Sequence, residues 1–424
     1  MAQPTQPIRP IQPGQNWKRQ FILIYVGQTF SLLGSSVVQF SVIWWLTVQT
    51  ESAVTLSLAA IVTFLPSMFI GPFAGVWIDR HNRRTVMMAA DGLVALSSVL
   101  LGAAFLASDT PPVWLIYLVL FLRGLGNTFH GPAMQAAIPM LVPVELLTKA
   151  GGWGNLINSA SNMVGPMLGA LLIELMPMSA IMLVDIGGAA FAILCLMFVH
   201  IPDVPQTAGR PQLLADMKQG LAAMRANRPL MAVFWPMMLM SILYMPLGSL
   251  FPLLIRVHFL GGAWHTGIAE VAFAGGLLVS SLVIGMWGGM KKRFLMASLA
   301  VAMLGLATMV SGALPPEGFW LFLICCFFMG SAGTFLNVPI MAYTQESTAP
   351  EMMGKVFSLL MTAMTLTMPI GLLVAGPACE LIGVEVWFFW SGVALVGTGA
   401  FCRLTTRRYD AETMRPGAAL PQSE

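Results

Sequence analysis

Apolar runs of about 20 residues, separated by short polar segments, recur along the whole chain. Each run is long enough for an α-helix to cross the roughly 30 Å hydrocarbon core of a bilayer at about 1.5 Å per residue. Of the 424 residues, 57% are hydrophobic and 9% are charged, whereas about 25% of residues are charged in a typical soluble domain. The sequence therefore predicts an all-α membrane protein whose function lies inside the membrane.

Twelve such runs are present, and they predict twelve transmembrane helices. The predicted spans are residues 20–46, 54–77, 86–107, 113–133, 153–174, 179–200, 230–255, 267–287, 294–314, 318–340, 357–379 and 386–402. The corresponding organisation is a cytoplasmic N-terminal tail (1–19), an N-terminal six-helix bundle (20–200), a cytoplasmic linker (201–229), a C-terminal six-helix bundle (230–402) and a cytoplasmic C-terminal tail (403–424).

Basic residues predict the orientation of these helices. If the N-terminus is cytoplasmic, 19 of the 21 basic residues fall in cytoplasmic segments. The two exceptions are Arg256, at the outer end of the seventh predicted helix, and Arg123, in the middle of the fourth. By the positive-inside rule, this distribution predicts that both termini are cytoplasmic and that the number of helices is even.

The two halves of the sequence repeat several residues at nearly one offset. Gly75 and Trp77 correspond to Gly285 and Trp287 at an offset of 210, Pro132 and Pro143 to Pro339 and Pro350 at 207, and Gly165 and Glu174 to Gly371 and Glu380 at 206. Such repeats predict two pseudo-symmetric bundles, with the substrate held between them near the middle of the membrane.

A charged loop follows the second predicted helix. Its Gly75, Asp79, Arg80, Arg83 and Arg84 resemble the signature G-x-x-x-D-R-x-G-R-R of the major facilitator superfamily. Asn82 stands where the family has Gly, and Asn tolerates the left-handed conformation that a tight turn needs. Since Asp79 can accept hydrogen bonds from a helix N-terminus and the arginines can bind carboxylates or lipid phosphates, the loop is interpreted as a cytoplasmic gate. The positive-inside rule alone would explain the arginines but not the other two residues.

The fifth predicted helix carries a second family element. Gly165, Pro166 and Gly169 resemble the G-P-x-x-G element of antiporters in the superfamily. Three asparagines share the same arc of about 80° with the two glycines, namely Asn155, Asn158 and Asn162. A smooth glycine face lets another helix approach closely, so both simple packing and a role in gating stay open.

Arg123 is the most informative single residue, because a charged side chain at the bilayer centre is unfavourable by at least about 2.5 kcal/mol. It resembles the buried arginine of the R-x-x-x-G element of proton-coupled members, with Asn127 in place of the Gly. Asp91, Asp185 and Glu270 are the candidate proton carriers, and the first two lie deeper in their helices. The alternatives are a structural ion pair for the arginine and ordinary helix-to-helix hydrogen bonds for the acids.

Polar side chains on otherwise apolar helices are expected to line a cavity. The candidates are Tyr25, Gln28, Ser35, Gln39, Asn127, Asn155, Asn158, Asn162, Tyr244, Thr362 and Thr365. With 32 methionines in the chain, such a cavity would be soft and amphipathic and would suit large drugs.

Several chemistries are disfavoured by the sequence. Gly354-Lys355 lacks the glycine and the Ser or Thr of a phosphate-binding loop, and no set of nucleophile, base and orienting residue indicates an enzyme. The five cysteines have no metal-ligand or disulfide spacing. No cofactor and no metal are therefore expected, and the coupling ion is predicted to be the proton, which gains about 2.3 kcal/mol per 100 mV.

Short segments throughout the chain resemble the macrolide-efflux branch of the major facilitator superfamily. They are Asn16-Trp17-Lys18-Arg19, Phe64-Leu65-Pro66, Asp79-Arg80-His81, Phe129-His130-Gly131-Pro132, Leu141-Val142-Pro143, Gly354-Lys355-Val356-Phe357-Ser358-Leu359 and Met368-Pro369-Ile370-Gly371.

This resemblance implies a drug:proton antiporter of the bacterial inner membrane that exports macrolides and confers resistance, with membrane lipid around it and a partner ATPase assisting it. Nucleic acid is not an expected partner. Export of a siderophore or a tetracycline is the alternative within transport, and a transport-dead sensor or scaffold is the alternative from another class.

Overall fold

A computed structural model describes residues 16–201 and 213–412. Every regular element in these two ranges is helical. The α-helices are α1 (Trp17–Thr50), α2 (Ala53–Phe69), α3 (Gly71–Asp79), α4 (Arg83–Ala107), α5 (Val113–Leu141), α6 (Leu147–Leu175), α7 (Met178–Met197), α8 (Leu213–Ala226), α9 (Arg228–Leu253), α10 (Ala263–Trp287), α11 (Arg293–Ala313), α12 (Phe319–Ser347), α13 (Pro350–Ile382) and α14 (Val384–Glu412). A π-helical turn at Leu254–His258 continues α9, and 3₁₀ turns at Val144–Leu146 and Pro316–Gly318 precede α6 and α12.

The predicted spans are all occupied by helices. Eleven helical segments in the described ranges are long and apolar enough to cross a bilayer, and the remaining predicted span, 54–77, is divided into α2 and α3. The division falls at Ile70, because Pro72 in the first turn of α3 has no N–H with which to continue the helical hydrogen bonding from α2. The all-α prediction is confirmed.

Helix ends differ from the prediction, since hydropathy locates the apolar part of a helix and not the end of its hydrogen bonding. Helix α14 continues ten residues into the predicted tail, to Glu412, and α5 ends at Leu141 instead of 133. The predicted linker 201–229 is not simply a connection, because it contains α8. Gly220 of α8 packs against the backbone of Lys355 on α13. The predicted segments 1–15, 202–212 and 413–424 lie outside the described residues.

The chain divides into two compact units. Unit 1 contains, among the described residues, 16–41, 62–165 and 175–201. Helix α4 packs along both α5 and α7 in this unit. An apolar core at one end of unit 1 joins Ile24 of α1, Met87 of α4, Leu141 of α5 and Leu196 of α7, all of which are buried. These contacts hold α1, α4, α5 and α7 in register, which positions the polar side chains nearer their middles.

Unit 2 contains residues 42–61, 166–174 and 213–412. Helix α11 packs along α14, and α10 packs along α12. The α10 and α12 backbones nearly touch, because a Cβ on Gly276 would lie 1.9 Å from the Phe327 carbonyl oxygen and one on Gly330 would lie 2.0 Å from that of Phe273. Small residues of this kind let membrane helices gain packing energy that lipid cannot supply.

Candidate functional site

Four helices of unit 1 bring a charged cluster together around Arg123. The guanidinium of Arg123 forms an ion pair with Asp185 of α7, and it also donates to Ser98 Oγ of α4 at 2.9 Å and to the Ser35 carbonyl of α1 at 3.0 Å. Ser35 Oγ and Ser98 Oγ donate in turn to Asp185, at 2.7 Å and 2.6 Å. Of the two deeper acids among the candidate proton carriers, the structure therefore pairs Asp185 with Arg123.

Burial makes this ion pair energetically important. Arg123 is 3% exposed and Asp185 is fully buried. Removing one partner of a buried pair typically costs about 3–5 kcal/mol, because the other charge is left unpaired in a low-dielectric interior. The pair can form because the helices approach closely: a Cβ on Gly34 of α1 would lie 3.2 Å from the Asp185 Cα.

A second buried cluster surrounds Asp91 of α4. Gln28 Nε2 donates to one carboxylate oxygen at 3.1 Å, and Ser31 Oγ donates to the other at 3.0 Å. His130 of α5 lies nearby, with its Nε2 3.6 Å from Asp91 Oδ1 and without a hydrogen bond inside the described ranges. Both hydrogen-bond donors to Asp91 are neutral, and the titratable His130 lies beside it, so a change in the charge of this carboxylate need not break the hydrogen bonds from Gln28 and Ser31.

The two clusters follow the same three helices. Asp91 and Ser98 are seven residues apart on α4, Arg123 and His130 are seven apart on α5, and Ser31 and Ser35 are neighbours on one face of α1. Seven residues correspond to about two turns, or roughly 10 Å along the helix. A polar column thus runs inside unit 1 from the Arg123 cluster to Asp91.

The sequence did not predict the roles of Ser31, Ser98 and His130. For the last two a signal was present, because Ser98 follows Asp91 by seven residues and His130 follows Arg123 by seven residues.

The signature loop is placed at the junction of α3 and α4. Asn82 has extended backbone angles (φ −65°, ψ 118°), and its side chain accepts hydrogen bonds from the N–H groups of Arg84 at 3.0 Å and Thr85 at 3.4 Å. Asn82 is therefore an N-cap of α4 and does not adopt the left-handed conformation that the sequence suggested. Arg84 donates to the Met197 carbonyl at the C-terminal end of α7 at 2.8 Å, which suits the negative end of a helix dipole.

The other members of the signature loop differ in exposure. Gly75 and Arg80 are exposed, and Arg83 is buried. The backbone of Asp79 ends α3, and its side chain lies outside the described part of the structure, so its predicted role as an acceptor stays a prediction.

The predicted antiporter element lies within α6. A Cβ on Gly165 would lie 2.2 Å from Ser36 Oγ, so this glycine lets α6 touch α1 within unit 1. Pro166 and Gly169 belong to the segment of α6 in unit 2, where Gly169 is buried. The three asparagines of the same helix face, Asn155, Asn158 and Asn162, are all exposed.

The predicted cavity-lining residues do not form one group. Tyr25 and Gln28 are buried and do not line an open cavity, because the Tyr25 hydroxyl donates to the Ala150 carbonyl at 2.9 Å and Gln28 donates to Asp91. Ser35 belongs to the Arg123 cluster. The remaining candidates are exposed or half-buried, namely Gln39, Asn127, Thr362 and Thr365.

Glu270 and Tyr244 lie together in unit 2, apart from the acids of unit 1. They line a cavity that is formed by α9, α10 and α12, with the π-helical turn after α9. The third predicted proton carrier therefore belongs to a different unit from the other two.

Similarity to known proteins agrees with this architecture. The family model of the Major Facilitator Superfamily matches residues 24–371. The chain belongs to the major facilitator superfamily. As a member of the superfamily, it is a multi-pass membrane transporter of small molecules and not an enzyme.

Several proteins of the superfamily are similar to this chain over most of their own length. Macrolide efflux protein A of Streptococcus pyogenes is 38% identical over 390 residues, which cover 91% of this chain and 96% of that protein. Multidrug efflux pump Tap of Mycobacterium bovis is 30% identical over 381 residues, covering 86% and 88%. The crystal structure of a bacterial homologue of the iron transporter ferroportin, in an inward-facing state, superposes with a TM-score of 0.70 at 16% identity, covering 93% of this chain and 99% of that one. The latter similarity supports the major facilitator fold alone.

Proposed function

We propose that this transporter exports macrolide antibiotics from the bacterial cytoplasm, driven by proton entry. The substrate class is supported by the 38% identity to Macrolide efflux protein A over 91% of the chain. The coupling is supported by one observation above the others, namely the buried Asp91 with neutral donors beside a buried Arg123–Asp185 ion pair. Neither a cofactor nor a metal has a part in this proposal.

Asp91 is proposed as the residue that carries the proton. Gln28 and Ser31 can each keep a hydrogen bond to a protonated carboxyl group, so proton binding changes the charge of the cluster without dismantling it. The Arg123–Asp185 pair is proposed to hold α1, α4, α5 and α7 together while that charge changes. A change of charge in a water-poor interior alters which helix arrangement is stable, which is how proton entry can drive alternating access.

Reconstituted transport tests this proposal directly. Purified protein in proteoliposomes should export labelled erythromycin when a pH gradient is imposed, and a protonophore should abolish that export. Asp91→Asn should lose the dependence on the pH gradient, because the amide keeps a similar shape but takes no proton. Asp109→Asn is the matched control, since Asp109 is exposed in the segment between α4 and α5. Gradient-driven export by Asp91→Asn at the wild-type rate would overturn the assignment.

The same vesicles address the proposed partners. A partner ATPase is implied by the resemblance, and export by the purified chain without ATP would show that such a partner assists the transporter without powering it. Lipid contact is proposed for the exposed Arg80 of the signature loop, whose charge suits lipid phosphates. Adding unlabelled tetracycline to the erythromycin export assay tests the alternative substrate class, because a tetracycline exporter should show slower erythromycin export.

Both termini are proposed to be cytoplasmic, on the basis of the basic residues. Single cysteines should be introduced at Lys18, Thr110 and Arg407, which are all exposed, because the five natural cysteines are buried and free. In intact cells, a membrane-impermeant maleimide should label only the cysteine at position 110. Labelling at position 18 or 407 before the cells are broken would contradict this orientation, and the protein without an added cysteine gives the background.

A further inference from the structure

The cavity around Glu270 is lined by one acidic side chain and several aromatic rings. Tyr244 and Phe251 of α9 and Phe273 of α10 contribute the rings, and Cys326 of α12 also lines the cavity. In the described part of the chain, the Glu270 carboxylate makes neither a hydrogen bond nor an ion pair. A carboxylate in a membrane helix is unfavourable unless it meets a positive charge or a proton, so a cationic group would be stabilised beside Glu270.

A second polar group points to a ligand in the same cavity. Thr266 lies one turn before Glu270 on α10, is 1% exposed and also lines the cavity. Its hydroxyl has no hydrogen-bond partner among the described residues. A buried hydroxyl without a hydrogen-bond partner is destabilising, and a ligand with an N–H group would supply that partner.

The size of the cavity limits what it can hold. It encloses about 80 Å³, whereas pockets that enclose a whole drug-sized molecule have roughly 300–1,000 Å³. A macrolide is far too large for this space, but one small substituent of it would fit. Among substituents, a protonated amine matches both the carboxylate and the electron-rich faces of the aromatic rings.

We propose that this cavity is the subsite that binds the protonated amino group of the exported drug, with Glu270 as its counter-ion and Thr266 as a hydrogen-bond acceptor. The aromatic rings of Tyr244, Phe251 and Phe273 contact the alkyl groups on the nitrogen. This inference rests on the proposed function, because it assigns a part of the substrate of that function to named residues. It also gives Glu270 a role in binding that differs from the proton carriage assigned to Asp91.

Equilibrium binding to purified protein in lipid nanodiscs tests the subsite. The two probes are erythromycin, which carries a tertiary amine, and its N-demethyl-N-acetyl derivative, in which that nitrogen is a neutral amide. Wild-type protein should bind the amine more tightly than the amide. Glu270→Gln should weaken binding of the amine about 10-fold to 100-fold, as expected when one partner of a desolvated charge pair is lost. It should change binding of the amide by less than about twofold.

Two further variants keep the test decisive. Glu317→Gln is the matched control, because it removes an exposed carboxylate in the segment before α12 and should leave both affinities unchanged. Thr266→Val keeps the shape of a side chain whose hydroxyl is unpartnered, so the protein should fold, and it should weaken amine binding several-fold without changing amide binding.

Three results would overturn the subsite. The first is that Glu270→Gln weakens binding of the amine and of the amide by the same factor, and the second is that wild-type protein binds both probes with equal affinity. The third is that Glu270→Gln loses transport while its affinity for the amine is unchanged, which would make Glu270 a proton carrier. Wild-type protein that binds neither probe would overturn the proposed substrate class and the subsite together, so the two failures are distinguishable.

Discussion

Arg123 is held by acceptors from three different helices, which only a guanidinium can reach together. Its two terminal nitrogens donate to Asp185, to Ser98 Oγ and to the Ser35 carbonyl. A lysine would keep the positive charge but would replace the planar fork with a single ammonium on a flexible chain. Charge and geometry can therefore be separated at this position by substitution.

The first prediction separates a coupling role of Arg123 from a structural one. Arg123→Ala should abolish gradient-driven export, because the buried Asp185 is left unpaired at a cost of about 3–5 kcal/mol. Arg123→Lys should keep part of the activity. The double variant Arg123→Met with Asp185→Leu should recover protein abundance, since replacing a whole buried pair by hydrophobic residues of similar volume is often nearly neutral for stability, but it should not recover export. Export by all three variants is measured in proteoliposomes at matched protein amounts. Export by the double variant at the wild-type rate would show that the ion pair has only a structural role.

The sequence predicted that these residues lie inside membrane helices, but it did not predict which neighbouring helix each side chain faces. Hydropathy placed Arg123, Asp91 and Asp185 inside helices, and the energy of a buried charge required a partner for the arginine. The choice of Asp185 depends on how α5 and α7 are rotated about their own axes, and apolar helices with little sequence amphipathicity do not encode that rotation. The rotation of α1 about its own axis likewise turns Gln28 toward Asp91 and away from any cavity.

The junction of α3 and α4 is stabilised by the side-chain cap of Asn82. Asn82→Ala should lower the melting temperature of the purified protein, because two N–H groups at the start of α4 lose their acceptor, at a cost of about 1 kcal/mol. Asn82→Gly should cost only a few tenths of a kcal/mol. The melting temperature is expected to be highest with Asn at position 82, lower with Gly and lowest with Ala. Greater stability for Gly than for Asn would mean that a left-handed turn, and not the cap, governs this position.

The contact of α10 with α12 gives another prediction. Gly276→Ala should prevent the two helices from packing, because its Cβ would lie 1.9 Å from the Phe327 carbonyl oxygen. Gly275→Ala is the matched control, since its Cβ would meet nothing within 4 Å. Monodisperse yield after detergent extraction should fall sharply for the first variant only. Equal yields from both variants would show that the helices can separate without loss of the fold.

Elements were easier to predict than their ends. Twenty-residue apolar runs located the membrane helices, because the bilayer fixes their length. Helix α8 was missed, since it is short and polar and is stabilised by contact with α13 at Gly220 and by the Lys355–Gln219 hydrogen bond of 2.5 Å. The break between α2 and α3 follows from Pro72, which an apolar run conceals.

Unit 2 joins segments from both halves of the sequence. Glu380 of α13 accepts hydrogen bonds from the Ser52 hydroxyl and from the Val54 N–H, the latter at 3.2 Å, next to the start of α2. Arg256 contacts Glu51 at 3.1 Å, and Glu51 has a positive φ of 44°, which is uncommon for a residue other than glycine. The contacts are exposed, and exposed pairs of this kind contribute about 0.2–1 kcal/mol each. Contacts that weak can form and break in every transport cycle.

The last prediction is that these contacts close the outer end of the transporter. Ser57 provides the reporter, because it is 3% exposed and its Oγ would lie 2.9 Å from a Cβ on Gly376 of α13. A Ser57→Cys protein should react slowly with an impermeant maleimide in intact cells. Adding Glu380→Ala should raise the labelling rate by up to about fivefold, which corresponds to the roughly 1 kcal/mol of an exposed charged contact.

Graded substitution separates this gate from general damage to the fold. Glu380→Gln should give an intermediate labelling rate, because the amide keeps one acceptor oxygen but loses the charge that strengthens the hydrogen bonds. Glu317→Gln, which removes an exposed carboxylate elsewhere in unit 2, should leave the labelling rate unchanged.

If opening of the outer end limits export, Glu380→Ala should also change the export rate. Equilibrium binding of drug by this variant should stay close to that of the wild type, because Glu380 lies outside the Glu270 cavity. A labelling rate that is the same with and without Glu380 would show that α13 and the start of α2 separate, or stay closed, independently of these hydrogen bonds.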